Sequence, residues 1–217
     1  MKAKINESEP KRVHKSAGQR EDEILFAASQ VFADRGYQRA DVQAIADLAC
    51  VGKGTVYRYF STKEVLFKAA MHYQLNLLVR RLEVVRDNHL EPLSRLYEMM
   101  RVFLKYFDQH PETIELFVHE RAEFGREIMP IYFQLKNEES HKWLFIFADI
   151  QQHYPVRPEL STEEMSSLCG ELLHGSLYMT MAKQPPVTAV SRLEQVFSFY
   201  IHGIMQIDDP LKLIQRQ

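Results

Sequence analysis

Between residues 53 and 59 the chain places Lys53, Thr55, Tyr57, Arg58 and Tyr59, so cations and hydroxyls crowd one short stretch. Ammonium and hydroxyl groups donate to phosphate oxygens, and a planar guanidinium can fork onto the edge of a base. The elements that must hold these side chains are legible in the spacing around them. Val42, Ile45, Ala46 and Ala49 recur at helical intervals and give a first helix one apolar face. Val51, Val56 and Phe60 supply the next apolar contacts, and small Ala46 and Ala49 let two helices cross closely. Residues Asp41 to Phe60 are thus expected to form two short helices joined by a tight turn. The free side of the second is narrow, polar and cationic, a shape suited to a DNA major groove.

The same stretch resembles the TetR family of bacterial transcriptional repressors. The matching pieces are Phe32-Ala-Asp-Arg-Gly-Tyr37, Val42-Gln-Ala-Ile-Ala46, Gly52-Lys-Gly-Thr-Val-Tyr-Arg-Tyr-Phe60 and Lys63-Glu-Val-Leu66. They stand in the family's order and spacing and cover roughly the first third of the chain; the remainder matches in length and helical character only. The resemblance implies that Lys53 and Tyr57 contact backbone phosphates and that Thr55 contacts phosphate or a base. It places Tyr59 and Lys63 on backbone at the flank, Lys63 helped by the N-terminus of its own helix. Arg58 and Gln43 fall where the family varies and are the candidates for base reading, Arg toward guanine and Gln toward adenine. Packing against the first helix is the other reading of Tyr57 and Tyr59, and Tyr37 is read as packing. The family usually has Gly at the position of Cys50, Ser at Gly52 and Thr at Ala40, so two hydroxyls are missing here and Asp41 is left to cap. Cys50 is read as a small turn residue, with a redox role as the other reading. Gly52-Lys-Gly-Thr55 is no phosphate-cradling loop, because Asp47 stands where the first glycine is needed.

Composition fits a globular chain, with 46% apolar and 26% charged residues and a net charge of −2. No apolar run approaches the ~20 residues that cross a bilayer, and no apolar leader precedes the first helix. Cys50 and Cys169 form no disulfide framework, and a reducing cytoplasm is the expected compartment. Residues 1–68 carry 12 Lys and Arg against 9 Asp and Glu, a charge of +3; residues 69–217 carry 15 against 20, a charge of −5. A mildly basic end on an acidic body agrees with a DNA-contacting head.

The expected fold is all-α, a three-helix head with the helix-turn-helix joined to a larger helical ligand-binding and dimerisation body. Residues 1–15 are read as a disordered basic arm, 16–66 as the DNA-binding head and 67–207 as the effector-binding and dimerisation body. Ser16 with Gln19 predicts a capping box and Gly36 a helix stop. Asp41 caps the next helix. Ser61 with Glu64, or Thr62 alone, starts a long helix to about Asn88. Pro92 opens another, with Leu93, Leu96, Tyr97, Met100, Phe103, Leu104 and Phe107 as its stripe. One long helical segment is expected after Pro130 through Ile150, one from the Ser161-Glu164 cap to Pro185-Pro186, and a last from about Ala189 to Met205, with a fraying tail from Asp208.

Aromatic and methionine side chains exceed what a minimal bundle needs, and they suit an adaptable pocket for an apolar or amphipathic small molecule. Phe103, Phe107, Phe117, Trp143 and Tyr178 are the effector-binding candidates. Glu171 and His174 have di-metal spacing, but a second pair and further carboxylates are lacking, so no metal and no cofactor is expected. No nucleophile–base spacing stands out. The other functional reading is an all-helical small-molecule carrier or enzyme whose first sixty residues are structural. The partners expected are operator DNA, a small-molecule effector and a second copy of the chain, with no membrane. The homodimer is expected through the last two helices, where Leu172, Leu173, Leu177, Met181, Val196, Phe197, Tyr200, Ile201 and Ile204 form an apolar surplus. Paired heads follow from the few bases that one helix can read.

Overall fold

The computed structural model describes residues 16–88, 90–125, 129–139, 141–181 and 187–206. The expectations placed on the arm 1–15, on the Pro185-Pro186 stop and on the tail from Asp208 lie outside those residues. Among the described residues ten α-helices run in order: α1 (Ala17–Arg39), α2 (Val42–Leu48), α3 (Lys53–Tyr59), α4 (Lys63–Arg86), α5 (Pro92–Gln109), α6 (Glu112–Phe124), α7 (Ile131–Glu139), α8 (His141–His153), α9 (Thr162–Met181) and α10 (Leu193–Ile204). The fold is all-α. An isolated antiparallel bridge, Val156 with Met205, ties the α8–α9 loop to the end of α10.

Local signals set the helix starts. Ser16 accepts from the Gln19 backbone at 3.2 Å while the Gln19 side chain accepts from Ser16 N–H at 3.0 Å, a reciprocal box. Asp41 caps α2 through the Gln43 N–H, and that bond followed by Lys53 holds its carboxyl below the usual carboxylate range. Thr62 caps α4 by accepting from Val65 N–H at 3.1 Å. Glu64 instead takes Lys68 at 2.6 Å, one turn on. Ser161 and Glu164 form the expected box at α9.

Two local departures stand out, while the stop expected at Gly36 is present as a kink. The helical segment after Pro130 is two helices, α7 and α8. The last helix begins as a 3-10 turn over Ala189–Arg192, whose Ala189 and Val190 N–H groups donate to Asp108 of α5 at 2.6 and 3.0 Å. Inside α1, Gly36 leaves the helix at φ +72° and ψ 166°, where only glycine is at ease.

Two apolar cores share α4. The first joins Ile24, Ala28 and Phe32 of α1 to Ile45 and Ala46 of α2, Val56 of α3, and Leu66, Phe67, Ala70 and Met71 of α4. It also takes in Leu116 of α6 and Ile131 of α7, so the head's core does not close at the start of α4. Phe32, Tyr37, Phe67 and Phe124 meet edge-on or tilted with centroids 5.0–5.7 Å apart, welding α1, α4 and α6 together. The second core gathers Leu78 with α5, α6, α8, α9 and α10.

Between the cores, Gln74 is fully buried on α4. The Tyr106 hydroxyl of α5 donates to its backbone oxygen at 2.6 Å and lies 2.8 Å from its side-chain amide. The Thr113 hydroxyl of α6 donates to the same side chain at 3.4 Å. Burial pushes the Tyr106 phenol well above its ordinary range. This polar knot pins the middle of α4 to α5 and α6.

Most of the apolar stripe expected to pair two chains packs inside one chain instead. Leu173, Leu177, Val196, Tyr200 and Ile204 are buried in the second core, and Phe197 meets Tyr97 edge-on at 5.0 Å. The Met181 side chain lies outside the described residues. The apolar side chains left exposed on α9 and α10 are Leu168, Tyr178, Met179 and Phe199, the last 71% exposed.

Candidate nucleic-acid interface and ligand cavity

α3 offers its residues unequally. Val56 is fully buried beneath it and fixes its rotation. Tyr57 and Arg58 face outward, Tyr57 with 43% of its surface exposed. Thr55 and Lys53 are half-buried, and Lys53 Nζ stands 3.4 Å from Asp41 Oδ1. Tyr59 turns back: its hydroxyl donates to the Ala17 carbonyl at 3.3 Å, and its ring packs on the head core beneath the Arg58 guanidinium. Gly52 gives α3 no side-chain cap, which leaves the first N–H groups of that helix without a hydroxyl.

The flanking residues are held by neighbours. Gln43 Nε2 donates to Asp47 on the exposed side of α2 at 2.8 Å. Lys63 Nζ donates to the Gln38 carbonyl at 3.0 Å and lies 5.1 Å from the centre of the Tyr37 ring. The exposed Tyr57 and Arg58, with the half-buried Lys53 and Thr55 of α3 and Lys63 at the start of α4, are the hydrogen-bond donors on this side of the head. Cys50, in the turn before α3, is the non-glycine residue at positive φ among the described residues, at +54°. A side chain there is strained, which accounts for the glycine that the family resemblance would place in this turn.

The body holds a cavity of about 180 Å³ that is partly open to solvent. Its walls are Leu75, Leu78, Val79 and Leu82 of α4; Leu96, Met99, Met100 and Phe103 of α5; Tyr132 and Leu135 of α7; Trp143 and Phe147 of α8; and Ser166, Cys169, Gly170 and Leu173 of α9. Of the effector candidates, Phe103 and Trp143 line it. Phe107 and Phe117 do not line it but touch residues that do, Phe107 tilted against Phe103 at 5.0 Å and Phe117 tilted against Tyr132 at 5.7 Å. Tyr178 does not line the cavity and lies on the exposed face of α9. Sequence reading sought aromatics and so passed over the leucine stripe of α4 at 75, 78 and 82, whose helical spacing was there to be read.

Glu171 and His174 do not converge. Glu171 is exposed and accepts from Ser167 at 3.1 Å, while His174 Nδ1–H donates to the Gly170 carbonyl at 2.6 Å. Among the described residues no group of three or more His, Cys, Asp or Glu is placed to hold a metal ion. Among them, too, no helix is long and apolar enough to cross a membrane.

Residues 24–70 match the family model of bacterial regulatory proteins, tetR family. The chain is 25% identical over 154 residues to the transcriptional repressor KstR2 of Mycobacterium tuberculosis, a match covering 70% of this chain and 76% of that one. It is 27% identical over 169 residues to the repressor BepR of Brucella suis, covering 75% and 79%. Among solved structures, the ketosteroid transcriptional regulator KstR2 of Mycobacterium tuberculosis superposes with a TM-score of 0.64 at 23% identity, over 90% of this chain and all of that one.

Proposed function

We propose, for a chain that belongs to the TetR family of bacterial regulatory proteins and is a DNA-binding transcriptional regulator, that it represses as a two-fold dimer and releases its operator when a small apolar or amphipathic molecule enters the body cavity. The observation that carries this reading is α4 itself. Its first residue is one of the donors on the head, and its Leu75–Leu82 stretch is a wall of the cavity. Occupancy of the cavity and placement of the head are thus properties of one rigid element about 36 Å long at ~1.5 Å per residue.

On the DNA side, Tyr57, Lys53 and Thr55 serve phosphates, while Arg58 and Gln43 read base edges. Tyr59 supports α3 from beneath, and Lys63 steadies the start of α4 beside the backbone. The exposed faces of α9 and α10 supply the dimer contact. Gly175 and Gly203 have no atom within 4 Å of where a Cβ would stand, which leaves room for a second backbone.

The test is binding to genomic operator fragments as a function of salt. Lys53→Ala weakens binding to all sequences and flattens the salt slope by about one unit. Arg58→Ala relaxes preference at one base position by roughly 1–3 kcal/mol. An unchanged operator preference in Arg58→Ala would remove it as a reader. A reporter that loses transcription when the protein is deleted would make the chain an activator.

A further inference from the structure

Among the described residues, the cavity walls carry no Lys, Arg, His, Asp or Glu. Charged or titratable groups stand behind the wall instead. Arg86 lies 5.4 Å from the centre of the Trp143 ring and is engaged by Asp87 at 2.7 Å and Glu83 at 3.5 Å. His174 lies 4.4 Å from the Tyr132 ring with its Nδ1 proton given to Gly170. An ionised ligand group seated deep against this wall would therefore lose water with no counter-ion among the described lining residues.

The polar side-chain groups of the lining residues are the Ser166 and Tyr132 hydroxyls, the Trp143 indole N–H and the Cys169 thiol. Ser166 and Tyr132 are both in the wall, and among the described residues neither hydroxyl makes a hydrogen bond within the protein. Burial pushes the Tyr132 phenol well above its ordinary range, so it stays a neutral donor. Unpartnered hydroxyls on a largely apolar wall favour a ligand that completes their hydrogen bonds. The volume sets the scale of the part that can be held inside: an engineered cavity of about 150 Å³ holds benzene, and about 180 Å³ seats one ring with a short substituent.

We propose that the cavity selects an uncharged, single-ring-sized apolar molecule carrying one hydroxyl or carbonyl, bound through Ser166 and Tyr132, and rejects carboxylates and ammonium ions of the same shape. This rests on the effector reading above and narrows it to one chemical class.

Three compounds with one ring and similar length separate the possibilities: para-ethylphenol, para-hydroxyphenylacetate and tyramine, which are neutral, anionic and cationic at neutral pH. Each is titrated into the full chain by calorimetry and by the emission of Trp143, the single tryptophan, and operator release is measured separately. The neutral phenol is expected to bind saturably and to change Trp143 emission. The two ions should bind about 100-fold or more weakly. Ser166→Ala and Tyr132→Phe should each weaken the phenol by about fivefold, the worth of one neutral hydrogen bond. Equal or tighter binding of either ion overturns the uncharged class while leaving the cavity as the ligand site. Binding by none of the three overturns both. Binding of the phenol without operator release upholds the class and defeats the coupling to DNA.

Discussion

Replacing Gly36 by alanine tests the seam where the head meets α6. At φ +72° and ψ 166°, a residue with a side chain is strained by about 1–3 kcal/mol. Its Cβ would also stand 3.3 Å from His119 Cε1 and 3.4 Å from Nδ1, inside the ~3.5–4.0 Å of a comfortable contact. The imidazole must give way, and its Nε2 sits 3.2 Å from the Ala33 carbonyl, a bond worth about 1 kcal/mol. Alanine recovers about 0.4–1 kcal/mol by narrowing the unfolded ensemble. The net is a destabilisation of about 2 kcal/mol, a fall in melting temperature of roughly 4–8 °C for a chain of this size. The assay is a thermal melt of Gly36→Ala, His119→Ala and the double variant. With His119 removed, the crowding and the bond vanish from the glycine's side of the cycle, so Gly36→Ala should cost about 1 kcal/mol less. Additivity within about 0.5 kcal/mol, or an unchanged melting temperature in Gly36→Ala, refutes the placement of His119 over the kink.

Other perturbations reach other parts of the structure. Cys50→Gly relieves a strained φ of +54° and should raise stability by about 0.5–1 kcal/mol, read as a higher melting temperature. Tyr106→Phe strips the hydroxyl from the buried Gln74 knot and should cost about 1–3 kcal/mol in urea denaturation. Glu120 is buried with its carboxyl pushed up by desolvation, while its Oε1 accepts from Ile131 N–H. A raised folded pKa means that the group's stabilisation is complete below the ordinary carboxylate value and declines as pH climbs through the folded value. The melting temperature of Glu120→Gln minus that of the parent should therefore be more positive at pH 7 than at pH 4; a flat difference denies the shift. Tyr178→Asp with Phe199→Asp alters exposed faces of α9 and α10, so sedimentation should find a folded monomer with weakened operator binding.

Legibility in the sequence followed the range of the interactions. Caps such as Ser16 with Gln19 and Ser161 with Glu164 span three residues, so residue type nearly dictates them. The choice of Thr62 over Ser61 turned on where Glu64 spent its carboxylate, and Lys68 one turn on took it. The donor stretch 53–59 was readable because apolar Val56 and polar Tyr57 and Arg58 alternate around one short helix. Tyr59 was ambiguous because its partner, the Ala17 carbonyl, is 42 residues away. The two faces of α9 and α10 are both apolar, and sequence alone does not say which one the chain buries. Cavity membership is a further step removed. Tyr178 and Trp143 are alike in type, but only the packing of α8 and α9 turns one inward and the other outward.

Under the proposed release, energetics and leverage bear on each other. Moving a two-state equilibrium from 99:1 to 1:99 takes about 5.5 kcal/mol of differential affinity. A ligand of roughly nine heavy atoms has at most about 13 kcal/mol to give, at the ceiling of ~1.5 kcal/mol per atom. Nearly half of its binding must then be realised in one arrangement only, so the cavity must be a poor fit in the other. Leu66, Phe67, Ala70 and Met71 are at most 1% exposed, so the first half of α4 cannot shift without carrying the head core along. The Tyr106–Gln74 knot sets the pivot. Leu82 lies about 12 Å beyond it and Lys63 about 16 Å before it along the helix. A wall that moves outward by 1 Å at Leu82 therefore swings the start of α4 by about 1.4 Å the other way, and in a two-fold dimer both heads move. The small cavity and the long helix are complementary in this proposal: the ligand contributes a modest displacement, and the position of Gln74 enlarges it at the head end of α4.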